Sequence, residues 1–265
     1  MKARSTPLLQ NKRYRQPPVF TPASLLRETR RQKAVAAGKV PAVCVLDPDG
    51  DIVAHLLRRK LATRNPFWAC YHTTLHQFAL DARTCGIIGC AVGGPYAVLL
   101  AEQLFVSGCR LLISVTSAGQ ILPVRQPPYF VLIEKALRDE GTSHHYRPPA
   151  RYAHLNRQLQ KKLANRLPAV ERGAAWTTDA PYRETATAIA RAKAEGILAV
   201  EMEAASLYAF AEARRKPVVC FAHITNQMGR VEGDFEKGEA DGSVASLHLI
   251  ENVARCLRPR TNLRQ

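Results

Sequence analysis

The chain is organised around the stretch Gly196-Ile197-Leu198-Ala199-Val200-Glu201-Met202-Glu203-Ala204-Ala205-Ser206-Leu207-Tyr208. Apolar residues 197–200 predict a short buried strand, and residues 204–215 predict a helix. Between them, Glu201 and Glu203 point the same way, because residues two apart share one face of a strand. Buried carboxylates need hydrogen-bond donors, and a sugar diol offers two hydroxyl protons. A helix N-terminus, which favours acidic residues, is the structural alternative.

Strand-like and helix-like segments alternate along most of the chain. Strand patterns begin near residues 41, 85, 110, 129, 173, 197 and 217, and helical patterns span 21–37, 96–107, 153–166, 186–195, 204–215 and 243–257. This alternation predicts an α/β fold with a mixed central sheet flanked by helices. No repeat or break in composition divides it, so we expect one domain over residues 21–258. A flexible basic tail at residues 1–20 and a basic tail at 259–265 are expected to flank it.

The composition excludes several classes of protein. No apolar run reaches the roughly 18 residues of a membrane span, and the basic start lacks the apolar core of a secretory signal. The seven cysteines are odd in number, mostly lie in apolar runs and include no Cys-x-x-Cys. This pattern predicts reduced thiols in a cytoplasmic protein, without disulfides and without a metal site.

The formal net charge of +16 raises the question of a polyanionic partner. The basic residues are scattered, with clusters at 12–15, 27–33, 58–64 and 254–264, and no aromatic-basic motif accompanies them. We therefore do not expect a dedicated nucleic-acid partner. An anionic substrate or a generally basic surface fits the charge better.

A glycine-rich turn follows the strand pattern that begins near residue 85. The turn reads Gly89-Cys90-Ala91-Val92-Gly93-Gly94-Pro95 and leads directly into a predicted helix. Backbone N–H groups at such a turn can hold an anion or a polar ligand, and close backbone packing is the alternative. The turn lacks both the Gly-x-Gly-x-x-Gly pattern and a P-loop lysine, which argues against a dinucleotide or Walker site.

Small polar residues end two further predicted strands. Thr116-Ser117-Ala118-Gly119-Gln120 follows one of them, and Thr225-Asn226-Gln227 follows the other. Open α/β sheets bind ligands at the carboxyl ends of their strands. These stretches therefore predict a polar binding site, with a simple strand cap as the alternative.

Three stretches together resemble one family. They are the glycine turn with the following Glu102-Gln103-Leu104, the segment Thr116-Ser117-Ala118-Gly119-Gln120-Ile121, and Val200-Glu201-Met202-Glu203-Ala204-Ala205. In order and spacing they resemble the nucleoside phosphorylase superfamily, which contains uridine phosphorylase, the hexameric purine nucleoside phosphorylases and the methylthioadenosine nucleosidases. The resemblance covers roughly residues 40–257 and is strongest to uridine phosphorylase-like members.

The resemblance implies roles for individual residues. Met202, Glu203 and Glu201 would bind the ribose, and Glu203 would stabilise its oxocarbenium-like transition state. Asn226 occupies the place of the aspartate that protonates purines in some members. An amide cannot deliver a proton. The role implied for Asn226 in catalysis is therefore to form hydrogen bonds with the base. Tyr182 and Arg183 would also contact the base.

The departures from the family concern phosphate. Thr116, Ser117 and Gly93 match its phosphate or nucleophile site, but the family turn Gly-Asp-Pro-x-Arg is replaced by Leu46-Asp47-Pro48-Asp49-Gly50, and a second family arginine is replaced by Ser114. A phosphate dianion without arginine contacts binds poorly in a buried site. Arg58, Arg59 and Arg64 are the candidates to replace them, either within the same subunit or from a neighbouring one.

Three functions remain open from the sequence. The first is phosphorolysis of a pyrimidine nucleoside to free base and pentose 1-phosphate, with inorganic phosphate as co-substrate and no other cofactor. The second is hydrolysis of a nucleoside on the same scaffold, and the third is a divergent, non-catalytic binding protein. The resemblance implies a small-molecule nucleoside as the partner and a homo-oligomer, either a dimer or a hexamer.

Overall fold

A mixed β-sheet runs through the protein, whose computed structural model describes residues 6–81, 83–228 and 232–257. In these residues its strands are β1 (Val43–Asp47), β2 (Ala62–Arg64), β3 (His76–Leu80), β4 (Arg83–Gly89), β5 (Leu111–Gln120), β6 (Tyr129–Asp139), β7 (Tyr152–His154), β8 (Glu171–Thr178), β9 (Ile197–Glu201) and β10 (Val218–Asn226). The helices are α1 (Pro22–Lys33), α2 (Asp51–Arg58), α3 (Gly94–Val106), α4 (Ser143–Tyr146), α5 (Arg157–Leu163), α6 (Ala186–Ala194), α7 (Ala204–Arg214) and α8 (Ser243–Cys256), with 3-10 turns at Pro7–Leu9 and Pro181–Arg183.

The strand order combines parallel and antiparallel neighbours. Strand β1 lies parallel to β4 and β5, and β5 also lies parallel to β10. Strand β10 pairs antiparallel with β6, β6 runs parallel to β8, and β8 runs parallel to β9. Strand β9 then returns antiparallel to the end of β5, which closes a ring of five strands. The predicted mixed α/β fold is confirmed.

The core explains why the central strands read as continuous apolar runs. Strands β1, β9 and β10 are buried at every residue, as expected where both faces of a sheet are covered. Helix α7 is also buried along most of its length and packs closely on α3. A Cβ at Gly94 would lie 2.2 Å from Ser206 Oγ, so the glycine turn is also a packing contact between these two helices.

The structure differs from the sequence prediction in three segments. The helix predicted over residues 153–166 starts too early, because β7 pairs with β6 at its first residues. Helix α5 begins only after Asn156, whose side chain accepts hydrogen bonds from the N–H groups of Gln158 and Leu159. Residues 138–146, whose polar composition predicts a loop, instead contain the end of β6 and helix α4. Strand β5 continues through the residues predicted to form its terminal turn, since β9 and β10 pair with them.

Part of the predicted N-terminal tail contacts the domain. Lys12 Nζ lies 2.9 Å from His145 Nδ1, and the Tyr14 hydroxyl donates to the carbonyl of His144 at 3.3 Å. Flexibility of residues 1–20 remains a prediction, and the basic tail at 259–265 lies outside the described residues. Within the described ranges, no helix combines the length and apolar character needed to cross a membrane. All seven cysteines lie in these ranges and are free.

Candidate active site

A cleft of about 340 Å³ opens where the carboxyl ends of several strands meet. Its walls come from the ends of β5, β9 and β10 and from the loops that follow β1, β4 and β8. Of the residues predicted from sequence, it brings together Thr116, Ser117, Tyr182, Glu201, Met202, Glu203 and Asn226. The volume lies within the range of small-molecule sites, and side chains from distant parts of the chain converge on it.

Glu203 is the residue best placed to bind a ligand hydroxyl. It is buried immediately before α7, and its Oε1 accepts a 2.7 Å hydrogen bond from the N–H of Gly93, which precedes α3. Its Oε2 is buried and has no hydrogen-bond partner among the residues that the structure describes. Buried polar atoms normally have a partner, so this oxygen, which belongs to a residue that lines the cleft, is a candidate binding position.

Glu201 is held by the protein itself. Its Oε2 accepts hydrogen bonds of 2.7 Å from the N–H groups of both Glu203 and Ala204. Its Oε1 accepts a hydrogen bond from the hydroxyl of Thr177. The helix N-terminus that the sequence offered as an alternative therefore applies to Glu201, which satisfies the first amides of α7. Direct ribose binding by Glu201 remains a prediction, and its contacts give it the role of positioning Glu203.

The two carboxyl groups share one buried environment. Burial raises the pKa of both, and the charge of Glu201 is the second cause that raises the pKa of Glu203. Glu201 accepts three hydrogen bonds, whereas the Gly93 N–H and the Thr116 hydroxyl are the groups that lower the pKa of Glu203, so the negative charge is more stable on Glu201. Burial and the charge of Glu201 therefore favour the protonated form of Glu203 until hydroxyl donors or a developing positive charge stabilise its ionised form.

Asp49 occupies the place where the sequence predicted phosphate contacts. Its Oδ2 accepts a 2.8 Å hydrogen bond from the N–H of Ser117, and its Oδ1 lies 3.6 Å from Lys237 Nζ. Lys237 also contacts Asp51 Oδ2 at 2.6 Å. The chain's own carboxylate thus takes the amide that was predicted to face a nucleophile or phosphate.

The cleft is acidic although the whole chain is basic. Carboxyl groups of Asp49, Glu184, Glu201 and Glu203 line it, and no Lys or Arg does so in the described part of the chain. Such a lining favours a ligand that develops positive charge over a dianion. The described residues also contain no group of three or more His, Cys, Asp and Glu side chains suited to a metal ion.

Asn226 and Met228 close the cleft at the end of β10. Asn226 is buried, and its Oδ1 accepts a 3.0 Å hydrogen bond from the N–H of Met228. Its Nδ2 donates to Thr225 Oγ1 at 3.2 Å, which leaves one amide hydrogen for a ligand. Gly119 makes this arrangement possible, because a Cβ there would lie 2.4 Å from Met228 Sδ.

Three of the predicted site residues do not line the cleft. Arg64 is exposed on β2 at the opposite edge of the sheet, so its predicted role depends on a second copy of the chain. The N–H of Gly93 is engaged by Glu203 rather than being open to phosphate. Arg183 is exposed beside the cleft but does not line it, while its neighbour Tyr182 is fully exposed at the mouth.

A larger groove of about 1040 Å³ lies near the starts of β5 and β10 and carries Arg110, Arg157, Lys162, Arg215 and Lys216. It contains neither the strand ends with small polar residues nor the unpartnered Glu203 oxygen. The smaller cleft is therefore the candidate active site.

Comparison with known proteins agrees with this geometry. Residues 42–258 match the sequence model of the phosphorylase superfamily, which is most of the chain. The chain belongs to the phosphorylase superfamily. One similar protein is an uncharacterized protein of Acanthamoeba polyphaga mimivirus. The two sequences are 26% identical over 175 residues, and the alignment covers 62% of this chain and 69% of that protein.

Solved structures share the fold. Uridine phosphorylase from Vibrio fischeri ES114 superposes with a TM-score of 0.68 at 21% identity, over 83% of this chain and 96% of that one. Purine nucleoside phosphorylase from Toxoplasma gondii, in complex with immucillin-H, gives a TM-score of 0.68 at 13% identity, over 82% of this chain and 90% of that one. At these identities the likeness establishes the phosphorylase superfamily fold, and the chemistry must be argued from the cleft.

Sequence reasoning missed two carboxyl groups of this phosphorylase superfamily site. Asp49 precedes Gly50, which stands where the family has an arginine, and its contact with Ser117 depends on β1 and β5 being neighbours. Glu184 lies in the loop before α6, directly after Tyr182 and Arg183, which the family resemblance assigns to the base, and it belongs to no motif of its own. An acidic residue beside predicted base-contacting residues was the available signal.

Proposed function

We propose that this member of the phosphorylase superfamily cleaves the N-glycosidic bond of a nucleoside. The ribose would lie against Met202, with its 2′- and 3′-hydroxyls donating to Glu203. The unpartnered, buried Oε2 of Glu203 supports this placement. As the bond breaks, positive charge grows on the sugar, and a fixed carboxylate stabilises the transition state more than the ground state.

Water is the acceptor that the geometry favours. The observation that carries this proposal is the 2.8 Å hydrogen bond from the Ser117 N–H to Asp49 Oδ2. A phosphate dianion at this amide would have to displace a carboxylate and would meet like charge. A neutral water meets no such repulsion, and Asp49 can accept its proton as a general base.

The proposed reaction divides its tasks among three residues. Glu203 holds the sugar and stabilises its positive charge. Asp49 takes a proton from water as the water oxygen bonds to the anomeric carbon. Asn226 offers its remaining amide hydrogen to the base, which suits a pyrimidine carbonyl. The products are the free base and free pentose.

Phosphorolysis is the second candidate, favoured by membership of the phosphorylase superfamily and by the fold shared with uridine phosphorylase. It requires cations from outside the described lining of the cleft, such as Lys237, which pairs with Asp49, or Arg64 of a second copy. Pentose 1-phosphate would then replace free pentose as the product.

The deciding experiment measures base release from a panel of pyrimidine and purine nucleosides, with and without inorganic phosphate. Free pentose at a rate independent of phosphate is the expected result. Pentose 1-phosphate formed only in the presence of phosphate would replace the hydrolytic proposal with the phosphorolytic one. A complete lack of base release from every nucleoside would leave the third, non-catalytic hypothesis.

A further inference from the structure

Glu184 is a carboxyl group in the cleft that has no role in the scheme above. It follows the 3-10 turn Pro181–Arg183, directly before the Thr185 cap of α6, and it is half-buried. Its side chain lines the same cleft as Asn226 and Met228. Its side chain has no hydrogen bond or ion pair to any other described residue. A carboxyl group withdrawn from water without a partner is costly when ionised, so this position favours the neutral acid.

At the end of β10, the base side of the cleft carries an amide in place of a proton donor. Asn226 stands there, its Oδ1 accepts from Met228, and an amide does not release a proton at any ordinary pH. Breaking an N-glycosidic bond places an electron pair on the base, and a base is a poor leaving group unless it is protonated or strongly hydrogen-bonded.

We propose that Glu184 is the general acid that protonates the leaving base. This inference rests on the proposed cleavage of a nucleoside but does not depend on whether water or phosphate is the acceptor. Glu184 and Glu203 line one cleft, so a nucleoside with its ribose on Glu203 can direct its base towards Glu184.

The surroundings of Glu184 suit this task. Burial raises the pKa of Glu184 to about 7, close to the operating pH at which a general acid is most effective. Other titratable groups that share the cleft are Asp49, Tyr182, Glu201 and Glu203, and Arg183 precedes it in the loop. Glu203, held by Gly93, serves the sugar, so the two carboxyl groups divide the work as acid and charge stabiliser.

The step balances as follows. The bond between the anomeric carbon and the base nitrogen breaks, and its electron pair stays on the base. The Glu184 proton moves to an acceptor atom of the base, while the water oxygen bonds to the anomeric carbon and gives one proton to Asp49. Solvent carries that proton from Asp49 and returns one to Glu184, so the sum is nucleoside plus water to base plus pentose.

The test compares two substrates, of which only one has a leaving group that must be protonated by a general acid. One is the best nucleoside of the panel, and the other is p-nitrophenyl β-D-riboside, whose leaving group is a stable anion and needs no proton. We expect Glu184→Gln to lower kcat on the nucleoside by about 10²-fold, with little change on the p-nitrophenyl riboside. The alkaline limb of the kcat/KM profile for the nucleoside should disappear in this variant, and Glu184→Asp should restore part of the activity.

The control is Glu134→Gln, a half-buried carboxyl group outside the cleft that pairs with Arg172. It should change neither substrate's turnover. An equal loss on both substrates after Glu184→Gln, or an alkaline limb that persists, would overturn the role of Glu184 and leave nucleoside cleavage standing. A wild-type protein that releases neither base nor p-nitrophenol would overturn the proposed function itself, and the role of Glu184 with it.

Discussion

In the proposed mechanism, sugar binding and transition-state stabilisation both depend on Glu203. Glu203→Ala removes the oxygen that has no protein partner and the acceptor of the Gly93 N–H. We expect kcat/KM for base release to fall by about 10²-fold or more, as for other preorganised electrostatic groups. Steady-state kinetics on the best nucleoside measure the loss, with Glu134→Ala as the control. Activity near that of the wild type would remove the ribose assignment.

In the proposed mechanism, Asp49 decides between water and phosphate as the acceptor. Asp49→Ala frees the Ser117 N–H and removes one negative charge from the cleft. We expect hydrolysis to fall by about 10²-fold, as for loss of a general base, while added phosphate accelerates base release more than it does in the wild type. Product analysis with and without phosphate measures both effects. The exposed Asp241, which lies 3.9 Å from Arg58, supplies the control Asp241→Ala, and unchanged hydrolysis in Asp49→Ala would remove Asp49 from the mechanism.

At the scale of elements, the end of strand β5 sets the geometry of the cleft. Gly119 pairs with Val200 of β9 and with Asn226 of β10. A Cβ at this position would lie 3.2 Å from Val200 Cγ1 and 3.3 Å from Asn226 Oδ1, besides its closer contact with Met228. The lack of a side chain therefore lets three strands end at one point.

Gly119→Ala tests this convergence. The added methyl group must push Met228 and Asn226 out of place, because its contact with Met228 Sδ would be 2.4 Å. We expect KM for the nucleoside to rise by about 10-fold, while the thermal midpoint falls by only a few degrees. Gly141→Ala is the matched control, since a Cβ there meets only Asp179 Oδ2 at 3.6 Å. Equal KM values for the two variants would contradict the proposed role of Gly119.

The sequence predicted those elements whose signals are local. Residues 197–200 and 204–215 correspond to β9 and α7, because an apolar run and a helical pattern meet at the two glutamates. Strand β3 was not predicted. It follows the aromatic-rich residues 65–72, and it is defined by its antiparallel pairing with β4 rather than by a regular alternation of apolar and polar residues. The closure of the ring by β9 and β10 on β5 also depends on distant pairing, which a single sequence does not display.

The same distinction applies to the candidate site. The resemblance of the motif around Glu203 implies a ribose position, and the replaced family arginines imply weak phosphate binding; both stay predictions. The contact of Asp49 with Ser117 joins residues 68 positions apart, so no local pattern indicated it. The separate tasks of Glu201 and Glu203 likewise emerge only from their hydrogen-bond donors, since the two residues look equivalent in the sequence.

At the scale of the whole molecule, the charge is divided between the surface and the cleft. The chain carries 38 Lys and Arg residues against 22 Asp and Glu residues, yet the described lining of the cleft holds carboxyl groups and no cation. Arg110, Arg157, Lys162 and Arg215 instead face the groove near the starts of β5 and β10. The net charge of the chain is therefore no argument for phosphate in the cleft, and the proposed hydrolysis rests on the local charges, which include the pairing of Asp49 with Lys237.

The unfolding free energy of the protein should depend on pH because several carboxyl groups are buried. Burial raises the pKa of Asp47 to about 7, and burial also raises the pKa values of Glu201 and Glu203. A carboxyl group whose pKa is higher in the folded state stabilises the fold below its unfolded pKa, near 4, and loses this contribution as the pH rises through the folded value. His223 acts in the opposite direction at low pH, because burial lowers its pKa to about 4.

Comparing Glu203→Gln with the wild type isolates one of these contributions, since the other groups are common to both proteins. Glutamine cannot ionise, so the variant should gain unfolding free energy at pH 8.5, on the order of 1–3 kcal/mol, and show no such gain at pH 4.5. Urea denaturation at the two pH values measures the difference, and Glu134→Gln should shift neither. A gain that is equal at both pH values would mean that Glu203 is ionised throughout, and the proton would then have to reside on Glu201 despite its three hydrogen-bond donors.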